Sequence, residues 1–70
     1  MREPMALTVN GEKRPFEAGM SLTGLLISLG LDPAKVAVEL NLAIAPRSRF
    51  ATTMLSPGDR IEIVHFVGGG

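Results

Sequence analysis

Ile61-Glu62-Ile63-Val64-His65-Phe66-Val67-Gly68-Gly69-Gly70 is an apolar strand that runs directly into three glycines. Ile61 and Ile63 share one face, and Arg60, Glu62, Val64 and Phe66 share the other, because side chains alternate along a strand. That alternation predicts a sheet with one covered face and one open face, and it leaves Val64 and Phe66 as exposed apolar residues that merit a functional reading. Glycine lacks a Cβ, so its backbone passes where other residues do not fit. Three in succession make a thin arm that reaches about 10 Å beyond Val67 when extended. Such an arm can thread a narrow channel in a second protein while the folded body stays outside.

Working back from this strand, Ser56-Pro57-Gly58-Asp59 is a tight turn that launches it. Before the turn, the stretch from Arg47 to Leu55 has no clean period and reads as a connecting turn or brief helix, anchored inward by Phe50 and Leu55. Val36-Ala37-Val38-Glu39-Leu40 alternates as a strand, with Val36, Val38 and Leu40 on one side. Asn41-Leu42 joins it to a short strand, Ala43-Ile44-Ala45, although leucine resists the positive φ that such a turn uses. Near the other end of the chain, Ala6-Leu7-Thr8-Val9 alternates and leads into Asn10-Gly11, the strongest short-range signal of a hairpin. The return strand runs from Glu12 to Glu17, and Pro15, lacking a backbone N–H, places it at a sheet edge.

Between the hairpin and the third strand lies one short helix. Ser21 is a natural N-cap, Leu22, Leu25, Leu26 and Leu29 form an apolar stripe at helical spacing, and Gly30 closes the helix as a left-handed residue with Leu31 beside it. Gly24 suggests a close approach of helix to sheet, and Asp32-Pro33 is expected to prevent a new helical turn soon after.

Composition limits what the chain can do. Its 70 residues make one small domain, with no cysteine and one histidine. Disulfides and thiolate-bound zinc are therefore excluded and no metal site is expected, so the fold stands on packing. Seven basic residues balance seven acidic ones, which argues against a nucleic-acid binder. No apolar run reaches the ~20 residues that span a bilayer and no signal-peptide pattern opens the chain, so a soluble, cytoplasmic protein, monomeric when free, is expected. The order hairpin, helix, strand, short strand, turn segment, long strand predicts an α+β fold of the β-grasp or ubiquitin-like kind. It has a mixed four- to five-stranded sheet with one helix packed across it, and the last strand lies beside the first, held firmly up to the glycines. A single domain covers residues 1–67, with 1–4 a loose leader and 68–70 a flexible tail.

The Asn10-Gly11 hairpin, the leucine helix closed by Gly30, Val36-Ala37-Val38-Glu39-Leu40-Asn41, Pro46-Arg47-Ser48-Arg49-Phe50, and the run from Pro57 to Gly70 together resemble the ThiS family of sulfur carriers of thiamine biosynthesis. The resemblance covers nearly the whole chain apart from the leader, and it departs from the family pattern mildly at that leader and at Leu42. It implies that Gly70 carries the sulfur, with Gly68 and Gly69 recognised sterically inside partner active sites; the apolar residues Val64, Phe66 and Val67 beside that tail are, on their own pattern, expected to form a partner interface. A carboxylate is ionised at neutral pH and is a poor electrophile. The resemblance implies that a ThiF-type adenylating enzyme activates it with ATP, that persulfide sulfur from a cysteine desulfurase system displaces AMP to leave a thiocarboxylate, and that thiazole synthase (ThiG) takes the sulfur. No cofactor is expected on the carrier itself. Nor is it expected to be an enzyme, because His65 has no acid or nucleophile placed to form a constellation with it; Arg47 and Arg49 read as a solvated loop. The MoaD-like small subunit of molybdopterin synthase, a ubiquitin-like protein modifier and a plain interaction module are the alternatives. The first shares the Gly-Gly end but tends to carry prolines before it, where this chain has Val64-His65-Phe66-Val67.

Overall fold

The computed structural model describes residues 3–66. The expected site residues Val67, Gly68, Gly69 and Gly70 lie outside that range, as do the first two residues of the expected leader. Among the described residues five strands form one sheet: β1 (Pro4–Val9), β2 (Glu12–Glu17), β3 (Val36–Leu40), β4 (Ala43–Ala45) and β5 (Arg60–His65), in the order β2-β1-β5-β3-β4. One helix, α1 (Leu22–Ser28), packs across it. β1 and β5 run parallel and the remaining pairs antiparallel, which is the mixed sheet and single helix of a β-grasp.

The hairpin forms as its residues require. Asn10 and Gly11 take φ of 49° and 81°, the left-handed pair of a type I′ turn, which matches the twist of the strands it joins. β2 is an edge strand, and Pro15 sits opposite Ala6. The even-numbered residues of β1, and Asn10 just after it, direct their backbone polar groups toward β5 and its approach: Thr8 N donates to Asp59 O, Asn10 N donates to Ile61 O and Ala6 O accepts from Gly58 N. The Ala6–Pro15 pair is therefore of the wide, non-hydrogen-bonded type, and the ring costs the ladder nothing. β1 starts at Pro4, opposite Glu17, so the expected leader gives up its last residue to the strand and Met5 becomes part of the core.

The helix has both expected ends. Ser21 Oγ accepts from Gly24 N at 3.0 Å. At the other end Gly30 N donates to Ile27 O and Leu31 N to Leu26 O, with Gly30 at φ 77°; these two bonds are the Schellman closure of a helix. Leu22, Leu25 and Leu26 are fully buried against Leu7, Val36 and Ile61 from the sheet, and Phe50 and Leu55 anchor the irregular segment as expected. Leu22 N bonds Thr53 O and Leu55 N bonds Met20 O, which ties that segment to the start of the helix.

Four expectations need correction. A Cβ on Gly24 would meet the Met20 side chain at 3.1 Å and Ser21 Oγ at 3.4 Å, so its tight neighbour is the preceding turn and not the sheet. A single 3-10 turn forms at once over Pro33–Lys35, with Asp32 as its cap, because proline at the first position of a turn loses only an N–H that had no partner. Leu42 adopts φ 71° beside Asn41 at 51°, so the second turn is also of the doubly left-handed kind despite the leucine. Arg47 does not lie free in solvent: its Nε donates to Pro33 O at 3.2 Å and its Nη2 to Val36 O at 3.0 Å, which clamps the entry to β3.

Candidate functional site: the last strand and the open sheet face

β5 is the strand from which the glycines follow, and its two flanks are held differently. On the β3 side the pairing continues to the end, with His65 opposite Val36 and Phe66 N donating to Lys35 O at 2.9 Å. On the β1 side only Arg60 and Ile61 have strand partners, Thr8 and Val9. β1 has by then turned at Asn10-Gly11, so among the described residues strand pairing of β5 runs through His65 on the β3 flank and stops at Ile61 on the β1 flank; the expected firm pairing up to the glycines lies partly outside the described residues.

Asn10 supplies two bonds to β5. Its backbone N donates to Ile61 O at 2.8 Å and its Oδ1 accepts from Ile63 N at 2.7 Å. The asparagine thus stands in for the strand residue that the turn removes. Asn41, on the opposite flank, does the same at the start of β5. Its Oδ1 accepts from Arg60 N at 2.9 Å, its backbone N donates to Arg60 O at 2.8 Å, and its Nδ2 donates to Asp59 Oδ1 at 3.0 Å. Two turn asparagines therefore grip the central strand from both sides. The hairpin propensity of Asn10 was legible in the sequence, but this second role depends on a residue more than fifty positions away.

The exposed apolar residues fall where the alternation put them. Val64 is 62% exposed and Phe66 52%, on and just beyond β5. The register adds a residue that the sequence did not single out. Val64 lies opposite Ala37, Glu62 opposite Glu39, and Glu39 in turn opposite Ile44; residues directly opposite share a face. Ile44 is 80% exposed, and it lines a shallow cleft on the open face with Val64, Ala37, Glu39 and Glu62. A three-residue strand carries too little pattern to show its face, so Ile44 became visible only through its partner Glu39.

His65 is exposed on the helix side of β5, at a groove formed with Ile63, Leu29, Leu31 and Arg14. No hydroxyl or carboxylate among the described residues bonds its ring. Arg14 pairs with Glu12 at 3.8 Å and lies over the Phe16 ring, so it is spent on its own strand. No group of three or more potential metal ligands occurs among the described residues, and none of their helices is long and apolar enough to cross a membrane.

Known proteins match this architecture. The model of the ThiS family matches residues 7–70. The crystal structure of a thiamine biosynthesis protein (ThiS) from Geobacter metallireducens superposes with a TM-score of 0.81 at 36% identity, covering 94% of this chain and all of that one. The sulfur carrier protein ThiS of Bacillus subtilis is 44% identical over 50 residues, 71% of this chain and 76% of that protein. A thiazole synthase of Paramagnetospirillum magneticum is 52% identical over 66 residues, 94% of this chain. The chain spans only 20% of the length of that protein. With residues 7–70 matched by the family model and the whole fold superposing on a solved member at a TM-score of 0.81, the chain belongs to the ThiS family.

Proposed function

We propose that the chain is a sulfur carrier for thiazole formation in thiamine biosynthesis, with the α-carboxyl of Gly70 as the group that carries the sulfur. The observation that carries this reading is the family match, which runs through the glycines to residue 70. The central position of β5 supports it, because a strand held on both flanks at its start gives the following residues a fixed point of departure.

The chemistry takes place in partner active sites. A carboxylate oxygen of Gly70 attacks the α-phosphorus of ATP on a ThiF-type adenylating enzyme, forming an acyl-adenylate and releasing pyrophosphate. The terminal sulfur of a cysteine persulfide then attacks the acyl carbon. The bond from carbon to the adenylate oxygen breaks and AMP departs, leaving an acyl disulfide. A thiol supplies the two electrons that cleave the S–S bond, becoming a disulfide and releasing the thiocarboxylate. ATP is thus a substrate of the partner, and the carrier holds no cofactor of its own. The thiazole synthases that include a region like this chain support thiazole synthase as the consumer of the sulfur, and the ThiS names among the relatives favour this route over molybdopterin synthesis.

Glycines at 68, 69 and 70 suit a channel too narrow for a Cβ. Val64 and Phe66, with Val67 following, serve as the partner surface, so Val64→Asp and Phe66→Asp should each weaken binding to the adenylating enzyme by about tenfold. Because both side chains are exposed, the denaturation midpoint should stay near that of the parent; normal binding by both variants would refute the surface. The activation step itself is tested by ATP–pyrophosphate exchange. Exchange should depend on the chain and disappear when Gly69 and Gly70 are removed. Exchange that persists without them would place the activated group elsewhere.

A further inference from the structure

Phe66 is the last described residue before Val67 and the glycines, and its N donates to Lys35 O at 2.9 Å. One residue earlier, His65 lies opposite Val36. The end of β5 therefore rests against Lys35 and Val36, and their placement decides where the chain leaves the folded body. Lys35 closes the 3-10 turn Pro33–Lys35, which contributes no buried residue. A single turn of this kind has poor hydrogen-bond geometry and little to hold it in place by itself. Arg47 supplies the hold. Its Nε donates to Pro33 O at 3.2 Å and its Nη2 to Val36 O at 3.0 Å, so one guanidinium bonds the carbonyls on either side of Ala34 and Lys35. The base of that side chain is itself fixed. Phe50 N donates to Arg47 O at 3.1 Å, Phe50 is buried in the core, and Phe50 O accepts from Thr23 N of the helix.

We infer that Arg47 is a positioning residue for the reaction at the end of the chain, acting through Lys35 and Phe66 and not on the reacting carboxyl itself. By bracketing Lys35 it fixes the carbonyl that holds Phe66 N, and so sets the direction of the backbone as it leaves Phe66. Glycines have no side chains with which to anchor themselves, so those that follow inherit their aim from the last paired residue. In a narrow channel, a small shift of the departure point lowers the share of docked carriers whose carboxyl reaches the group it must attack. The role requires a fork. A guanidinium presents two nitrogens to two carbonyls at once, whereas the ammonium of lysine is a single point. The inference rests on the carrier reading, which supplies the reaction that Arg47 serves.

The test compares the parent with Arg47→Met, which keeps most of the stem and removes both donors, and with Arg47→Lys, which can restore one of them. ATP–pyrophosphate exchange by the cognate adenylating enzyme is measured over a range of carrier concentration, and amide hydrogen exchange is followed by NMR on each chain alone. In Arg47→Met the Phe66 amide should exchange with solvent about tenfold faster. The helix amides of Leu25 and Leu29, bonded to Ser21 O and Leu25 O, should stay as protected as in the parent. kcat for pyrophosphate exchange should fall about tenfold with KM within about twofold of the parent's, because docking is kept and delivery of the carboxyl suffers. Arg47→Lys should fall between the two, and it carries the same comparison if Arg47→Met does not fold. Unchanged kcat in the variants would overturn the proposal. So would a rise in KM with kcat kept, or a loss of protection at Leu25 and Leu29 equal to that at Phe66. The carrier reading fails separately. A parent that supports no pyrophosphate exchange removes that reading and the role of Arg47 with it, whereas an active parent beside equally active variants overturns the role of Arg47 alone.

Discussion

Two turns of the same geometry flank the central strand, and they are built from different residues. Asn10-Gly11 takes φ of 49° and 81°, and Asn41-Leu42 takes 51° and 71°. Each joins two antiparallel strands across a two-residue loop. Each uses its asparagine side chain to accept a β5 amide, from Ile63 in one case and Arg60 in the other. They differ at the second position, where glycine meets the left-handed requirement without a steric cost and leucine does not. Burial does not compensate Leu42, which is 82% exposed. Its conformation is imposed from outside, by the β3–β4 register and by the three hydrogen bonds through which Asn41 holds Asp59 and Arg60. Such a position persists only where its surroundings over-determine it. One turn is specified by its own two residues, the other by the sheet around it.

The largest effect should come from removing a grip on β5. Asn10→Ala loses the acceptor for Ile63 N and the residue type that tolerates positive φ. Taken together these should lower stability by about 2 kcal/mol, read from chemical denaturation, and the Ile63 amide should exchange faster with solvent. An unchanged midpoint would mean that the Asn10–Ile63 bond adds nothing beyond what water supplies. Next comes Gly11→Leu, which makes the first turn a copy of the second. No atom lies within 4 Å of the position a Cβ would take, so the change acts through the backbone. A left-handed penalty of about 1–2 kcal/mol is partly offset by the stiffer unfolded chain, for a net loss of about 1 kcal/mol. Leu42→Gly makes the converse swap and should gain about 0.5–1 kcal/mol. If Leu42→Gly destabilises instead, then Leu42 has packing that its exposure does not reveal, and the contrast between the turns is weaker than drawn.

The same contrast explains what could be read in advance. The hairpin, the capped leucine helix and the alternating strands are local patterns, and each residue there has its own physical reason to adopt its state, so the fold was legible. Leu42 obscured the second turn because its local preference opposes the outcome. Pro33 misled in the opposite direction, since a proline that ends one helix also serves at the start of a 3-10 turn. At the site, Val64 and Phe66 followed from alternation alone. Ile44 did not, because a three-residue strand carries too little pattern to show its face, and the Glu39–Glu62 pairing did not, because register between strands more than twenty residues apart is not written in either strand. The grip of Asn10 on Ile63 and the clamp of Arg47 on Pro33 O and Val36 O are likewise tertiary facts, found only when the chain is folded.

The central claim is that Gly70 carries the sulfur, and intact mass tests it most directly. The purified chain is incubated with its adenylating enzyme, ATP, a persulfide-loaded cysteine desulfurase and a thiol, and then weighed and fragmented. The account predicts the exchange of one oxygen for sulfur, localised by fragmentation to Gly70 and reversed when thiazole synthase and its remaining substrates are added. An unchanged mass with a demonstrably active partner set, or sulfur found at any other residue, would contradict it.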